Sequence, residues 1–307
     1  MENIIKVNGL TKDYKNGKGI FDFSFSVKKG EIFGLVGTNG SGKTTTIRHM
    51  MGFIKPQKGS VTIAGLDCYK DSAKVKKIVG YVPGQIDFPD VGTGTEFLKS
   101  QASLLGLKDL TYMNELIDRF KIDITAPLRR MSKGMKQKMA LVAAFMAEPD
   151  IYLLDEPSTG LDPLMRDTLV EIILEQKNKG KTIFMSSHIF KELEDTCDTV
   201  LFIKNGKIVN LVSRNQYVNN PQEQYTIGFH KLNEFNDYIE ESKNNKYGMT
   251  LVNCFKFKNE ITVNVSLKNI DEFIKKLSQY NLKYINNNSY TLEKYYIEII
   301  ENTEEKL

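Results

Sequence analysis

The run Gly37-Thr38-Asn39-Gly40-Ser41-Gly42-Lys43-Thr44 combines residue types and a spacing that suit one kind of chemistry. It fits the pattern G-x-x-x-x-G-K-[ST]. Glycines let the backbone curl until successive N–H groups face a single point, and a helix starting at its end adds the positive pole of its dipole. The Lys43 ammonium would then reach the β- and γ-phosphates of a nucleotide, and the Thr44 hydroxyl would be a ligand for Mg²⁺. Thr45 completes the expected phosphate-side set. A second constellation lies at Asp155-Glu156, directly after the apolar run Ile151 to Leu154. Two carboxylates at the end of a buried strand stand where ligands collect in open α/β sheets. Asp155 is expected to hold Mg²⁺ through water, since that ion dehydrates reluctantly, and Glu156 to polarise an attacking water. An acidic strand end alone would more often cap a turn; paired with a glycine loop it reads as half of a nucleotide site. Base choice is narrowed by Asn178-Lys179-Gly180-Lys181, which lacks the aspartate of the Asn-Lys-x-Asp guanine-reading motif.

These groups need elements to hold them. Ile32 to Val36 and Ile151 to Leu154 are short and almost wholly apolar, as strands buried on both faces of a largely parallel sheet are. Thr182 to Ser186 and Val200 to Ile203 look alike, and Asn205-Gly206 predicts a hairpin turn into Lys207 to Val209. Between about 92 and 147 the pattern turns helical, with Leu98, Ala102 and Leu105, then Leu116, Ile117 and Phe120, at helical spacing. An α-helical insertion between strands is therefore expected. Residues 1–212 read as one α/β domain with a largely parallel sheet.

Past Val212 asparagine and tyrosine become frequent, and Asn219-Asn220-Pro221 suggests a linker over 213–223. Residues 224–307 then read as a small α+β domain. Strands are expected at Gln224 to Phe229, Leu251 to Phe257, Ile261 to Val265 and Lys283 to Ile285. Helices are expected over Leu232 to Ile239 and around Ile270, Phe273, Ile274 and Leu277. That order is the β-α-β-β-α-β pattern of ferredoxin-like domains.

Composition excludes several classes. With 307 residues, 41% apolar and 26% charged, the chain is an ordinary globular one. A net charge of +4 is spread without any run of about five or six like charges, so no nucleic-acid partner is expected. The longest uncharged apolar stretch, Met139 to Ala147, is far short of the ~20 residues of a spanning helix. MENIIKVNGL lacks the form of a secretion signal, which favours the cytoplasm. Cys68, Cys197 and Cys254 form no CxxC pair, so neither a disulfide framework nor a zinc site is expected. His49 and His230 read as structural.

Between the two constellations lies Met131-Ser132-Lys133-Gly134-Met135-Lys136-Gln137. Here the sequence resembles the ATP-binding subunits of ABC transporters, whose signature usually reads Leu-Ser-Gly-Gly-Gln. Ser132 and Gly134 are kept; Lys133 and Met135 depart from it, in a form similar to type 2 exporter ATPases of the bacitracin and lantibiotic group. In order, Ser158-Thr159-Gly160-Leu161-Asp162 resembles the D-loop, Ser187-His188 the switch histidine, and Tyr14 the aromatic residue that stacks on adenine. The resemblance covers residues 1 to about 212 and implies a P-loop NTPase fold of ABC type, with a mixed sheet core and an antiparallel N-terminal β part. It implies that ATP is hydrolysed with Mg²⁺ between two such subunits arranged head to tail. Each γ-phosphate would lie between one chain's glycine loop and the other's Ser132 and Gly134, with His188 beside Glu156. It also implies a separate transmembrane permease, a place on the inner face of the membrane, and export as the direction. A soluble ABC ATPase or an ATP-gated regulatory module are the competing readings. After Tyr81-Val82-Pro83 the family often carries a glutamine that ligates Mg²⁺; direct alignment puts Gly84 at that position, and Gln85 takes it instead if the loop shifts by one residue.

Overall fold

The structure is a computed structural model and describes residues 2–88, 92–218, 222–243, 249–288 and 291–297. The chain divides into two compact units, Met1–Ser213 and Arg214–Leu307. The first begins with β1 (Asn3–Asp13), β2 (Gly19–Lys28), β3 (Ile32–Gly37), α1 (Lys43–Met50), β4 (Lys58–Ile63) and β5 (Leu66–Asp67). Next come α2 (Ser72–Ile78), β6 (Val79–Val82), α3 (Gly94–Leu104), α4 (Thr111–Arg119) and α5 (Lys133–Phe145). It closes with β7 (Ile151–Asp155), α6 (Pro163–Asn178), β8 (Thr182–Ser187), α7 (Phe190–Thr196), β9 (Thr199–Lys204) and β10 (Lys207–Ser213).

Among the described residues this unit has two sheets. One is mixed, in the order β10-β9-β3-β8-β7-β6, with every pair parallel except β9–β10. Every residue of β3, β7 and β8 is buried, because each lies between two strands with layers on both faces. The other is antiparallel, β2-β1-β4-β5. Its strands alternate buried with exposed positions, so Ile5, Val7, Phe23 and Val27 enter a core shared with Phe33, Leu35, Leu153 and Phe184. The expected hairpin turn is present: Asn205 and Gly206 both have positive φ, +49° and +71°, as a two-residue turn that follows strand twist requires.

Helices α3 to α5 form the expected insertion between the adjacent strands β6 and β7. Their starts are chemically marked. Thr93 and Glu96 form a reciprocal capping box on α3, and Ser132 caps α5 by accepting from the Met135 N–H at 3.2 Å. Arg119 of α4 binds Glu175 of α6 through two parallel bonds, at 2.7 and 2.9 Å, fastening the insertion to the sheet-covering helix.

The second unit contains α8 (Arg214–Val218), β11 (Gln222–Phe229), α9 (Leu232–Lys243), β12 (Met249–Phe255), β13 (Glu260–Ser266), α10 (Ile270–Leu277) and β14 (Leu282–Asn287). Its sheet runs β12-β13-β11-β14, wholly antiparallel, which is the ferredoxin-like arrangement. Phe229, Phe235, Tyr238, Val263 and Phe273 fill a core of its own. The boundary between the units falls at Ser213/Arg214, at the start of the expected linker over 213–223; within that span α8 occupies Arg214–Val218 and β11 begins at Gln222, while 219–221 lie outside the described residues. One expectation needs correction. The strand expected to reach Phe257 ends at Phe255, where a tight 3-10 turn over Lys256–Lys258 and a left-handed Asn259 reverse the chain. No helix among the described residues is long and apolar enough to cross a membrane.

Candidate active site

β3, β7 and β8 are parallel neighbours, so their C-terminal ends open on one edge and bring three distant sequence regions together. From β3 the chain enters the glycine loop. Gly42, just before α1, has φ +112°, and a Cβ there would lie 2.4 Å from the Ile20 side chain. Only glycine allows the loop to close over β2 at that point. Lys43 then turns back: its Nζ donates to the Gly37 carbonyl at 2.7 Å and pairs with Glu156 Oε1 at 3.2 Å.

Glu156 follows the last residue of β7 and has φ +52°, a left-handed conformation costly for a non-glycine residue. Its N–H donates to both the carbonyl and the Oγ of Ser186 on β8, each at 3.1 Å, which holds the backbone there. Its second carboxylate oxygen binds His188 Nδ1. Lys43, Glu156 and His188 thus form a continuous line across the strand ends.

Asp155 is completely buried. The Ser186 hydroxyl donates to its Oδ1 at 2.6 Å, whereas Oδ2 has no hydrogen-bond partner. Facing that oxygen is Gly84, where a Cβ would stand only 2.7 Å from it. A buried, half-satisfied carboxylate demands an explanation such as a bound ion. Burial and the Asp155 charge together push the Tyr81 phenol up to about 12.

A cavity of about 880 Å³ opens here. Thr38, Asn39, Gly40, Gly42, Lys43, Thr44 and Thr45 line one side; Gln85, Glu156 and His188 line the rest, with Tyr14 also on the wall. Tyr14 is half exposed, as a ring available for stacking must be. Gly37 and Ser41 do not line the cavity but shape the loop: Gly37 anchors Lys43, and Ser41 is buried with its hydroxyl unpartnered. Ser132 and Gly134 lie outside the cavity lining of their own chain. Ser132 is exposed, and Gly134 packs so closely on the Gly160 carbonyl that a Cβ would come within 2.7 Å. His49, in the last turn of α1, is buried and bonded to the Thr45 carbonyl, and its pKa is lowered by burial, a structural role.

Sequence reasoning left out Lys133, Lys18, Thr159 and Asn205, which also line the cavity. Lys133 carried a signal: it stands where the usual signature has glycine, and it brings a basic side chain to the wall. Gln137 was missed as well. Its Nε2 donates to the Pro157 carbonyl at 2.7 Å in a buried setting, tying α5 to the loop after β7.

A glycine loop between a buried strand and a helix, a lysine aimed at its centre, and two carboxylates at the end of β7, separated from β3 by β8, define a P-loop nucleoside triphosphatase. Comparison with known proteins resolves the branch. Residues 20–159 match the ABC transporter family profile. Over 211 residues the chain is 34% identical to the ABC-type transporter ATP-binding protein EcsA of Bacillus subtilis, covering 67% of this chain and 85% of that protein. It is also 34% identical to the bacitracin transport ATP-binding protein BcrA of Bacillus licheniformis, over 68% of this chain and 69% of the relative. A solved ATP-binding subunit of an ABC transporter superposes with a TM-score of 0.64 at 32% identity, covering 70% of this chain and 91% of its own. The same fold, at 21% identity and a TM-score of 0.61, is found in a dimeric ATP-binding cassette in a post-hydrolysis state bound to ADP and Pi. The chain belongs to the ABC transporter family as an ATP-binding, ATP-hydrolysing subunit.

Proposed function

We propose that two of these subunits, identical or closely related, clasp two ATP molecules head to tail and so drive a separate membrane permease in the direction of export. The observation that carries this reading is the position of Ser132: exposed, at the start of α5, and outside the cavity that its own Lys43 and Glu156 line. A serine hydroxyl at a helix N-terminus suits a phosphate, and a second subunit is what would bring it to one. The signature variant and the similarity to a bacitracin transport protein favour export.

In this reading Tyr14 stacks on adenine and the loop N–H groups hold the phosphates. Lys43 exchanges the Gly37 carbonyl and Glu156 for phosphate oxygens, which frees the Glu156 carboxylate. Glu156 then accepts the proton of a water whose oxygen attacks the γ-phosphorus as the bond to the β-γ bridging oxygen breaks. His188 orients Glu156 and the water. Mg²⁺ fits the residues present: the orphaned Asp155 Oδ2, acting through water, with Thr44 and Gln85 close to the phosphate side. Among the described residues no three His, Cys, Asp or Glu side chains could hold a metal by themselves, so phosphate oxygens would complete the coordination. The ion would neutralise charge on the β- and γ-phosphates.

Gln85 supports a coupling route. It also lines a second groove, of about 450 Å³, with Phe88, Phe97, Ala143 and Ala144. Its wall, apolar at Phe88, Phe97, Ala143 and Ala144 and charged at Lys76, Lys77 and Asp87, suits a short amphipathic permease helix, and the shared Gln85 would report nucleotide to it. Glu156→Gln should keep ATP binding, lose nearly all turnover and accumulate as an ATP-trapped dimer in light scattering with Mg-ATP. Wild-type turnover in that variant would remove Glu156 from its role, and a strictly monomeric ATP-loaded state would remove the head-to-tail pair.

A further inference from the structure

Glu192 lies in the first turn of α7, beyond every motif considered so far. It is a buried carboxylate, only 7% exposed, and no basic side chain forms an ion pair with it among the described residues. Two serine hydroxyls converge on its Oε2: Ser187 donates at 2.6 Å and Ser158 at 3.0 Å, while Oε1 has no partner. Burial of an acid without a direct ion pair, with Arg166 acting only through its charge, costs stability and is kept only for a reason. The two serines point to that reason. Ser187 immediately precedes His188, and Ser158 is two residues beyond Glu156. Since Glu156 itself binds His188, the contacts close into a ring: Glu156 to Ser158 along the chain, Ser158 to Glu192 to Ser187 by hydrogen bonds, Ser187 to His188 along the chain, and His188 back to Glu156.

We infer that Glu192 is a positioning residue for hydrolysis: it pins the loop after β7 to the end of β8 and so sets the distance and angle between Glu156 and His188. The Ser187 hydroxyl is itself fixed, since it accepts from the Ile189 N–H at 3.0 Å while donating to Glu192. Thr159, next to Ser158, lines the nucleotide cavity, so the same pin shapes the wall there. Among the described residues the side-chain bonds of the ring meet the glycine loop at one place, the Lys43–Glu156 pair, so losing the pin should harm turnover far more than ATP affinity. The inference rests on the roles given above to Glu156 and His188.

The test is steady-state ATPase activity beside equilibrium ATP binding in the full chain. Glu192→Ala should lower kcat by ~10-fold or more, the order expected of a small misplacement of reacting groups, with the ATP dissociation constant little changed. Glu192→Gln should restore most of kcat, because its amide oxygen can accept from both serines while its NH₂ takes the unpartnered position. Ser158→Ala should cost little further in the Glu192→Ala background, since both remove the same link. If Glu192→Ala does not fold, the Ser158→Ala/Ser187→Ala double variant carries the test, with the same loss of kcat expected. Wild-type kcat in Glu192→Ala, or kcat and affinity falling together without rescue by glutamine, would overturn the inference. Glu156→Gln is assayed in parallel. If it hydrolyses normally, the site reading itself fails; if it is dead while Glu192→Ala is normal, only the pin fails.

Discussion

The left-handed backbone at Glu156 shows how much the site asks of single residues. A non-glycine residue there carries ~1–3 kcal/mol of strain, and the two bonds from its N–H to Ser186 hold it in place. Glu192 is costly in a different way. Burial raises its pKa, with the Glu156 charge adding to the shift, while the bonds from Ser187 and Ser158 and the Arg166 charge oppose it. A carboxyl whose folded pKa lies above its unfolded value near 4.5 contributes stability fully below that value and loses the contribution as pH rises through the folded pKa. Glutamine cannot ionise and has no such dependence. The melting temperature of Glu192→Gln should therefore gain on wild type as pH climbs from about 4.5 towards neutrality, then level off. Thermal melts across that range check it, and a difference that stays flat or shrinks with pH would count against a raised pKa.

At the scale of elements, strand ends gather the chemistry and helices tie it to the insertion. Gln137 is the direct tie, since α5 reaches the loop after β7 through its bond to the Pro157 carbonyl. Gln137→Leu keeps approximate volume and helix propensity but leaves a buried carbonyl without its donor, which costs ~1–3 kcal/mol. Urea unfolding should show that loss, and turnover should fall as α5 and the loop decouple. A stability within error of wild type would mean that another donor replaces Gln137. Cys68 and Cys197 are inert by comparison: both are buried, which pushes each thiol up to about 12.

For the molecule as a whole, the clearest division is between two cores with no residue in common, one built on the mixed and antiparallel sheets and one inside the ferredoxin-like unit. Every residue assigned to nucleotide chemistry lies in the unit Met1–Ser213. A chain ending at Ser213 is expected to fold, melt in a single cooperative step and bind ATP like the full chain. Calorimetry and nucleotide titration of that fragment check it; an insoluble or non-binding fragment would show that the second unit completes the first.

The glycine loop and Asp155-Glu156 could be read from sequence because each is a run of consecutive residues whose geometry is local: a turn, a helix start, a strand end. The Asn205-Gly206 hairpin and the βαββαβ order were legible for the same reason, as turn chemistry and side-chain periodicity act over a few residues. Ser186, Gln137 and Glu192 were not. Their meaning lies in partners 20 to 34 residues away in the chain, and no local pattern separates a buried serine or glutamate from an exposed one. Nor could spacing show that Gly84 meets a buried oxygen of Asp155 while Gln85 lines the cavity, because backbone proximity between strand ends exists only once the sheet has formed. Local sequence determined which groups could do the chemistry; the parallel pairing of β3, β8 and β7 decided which of them meet.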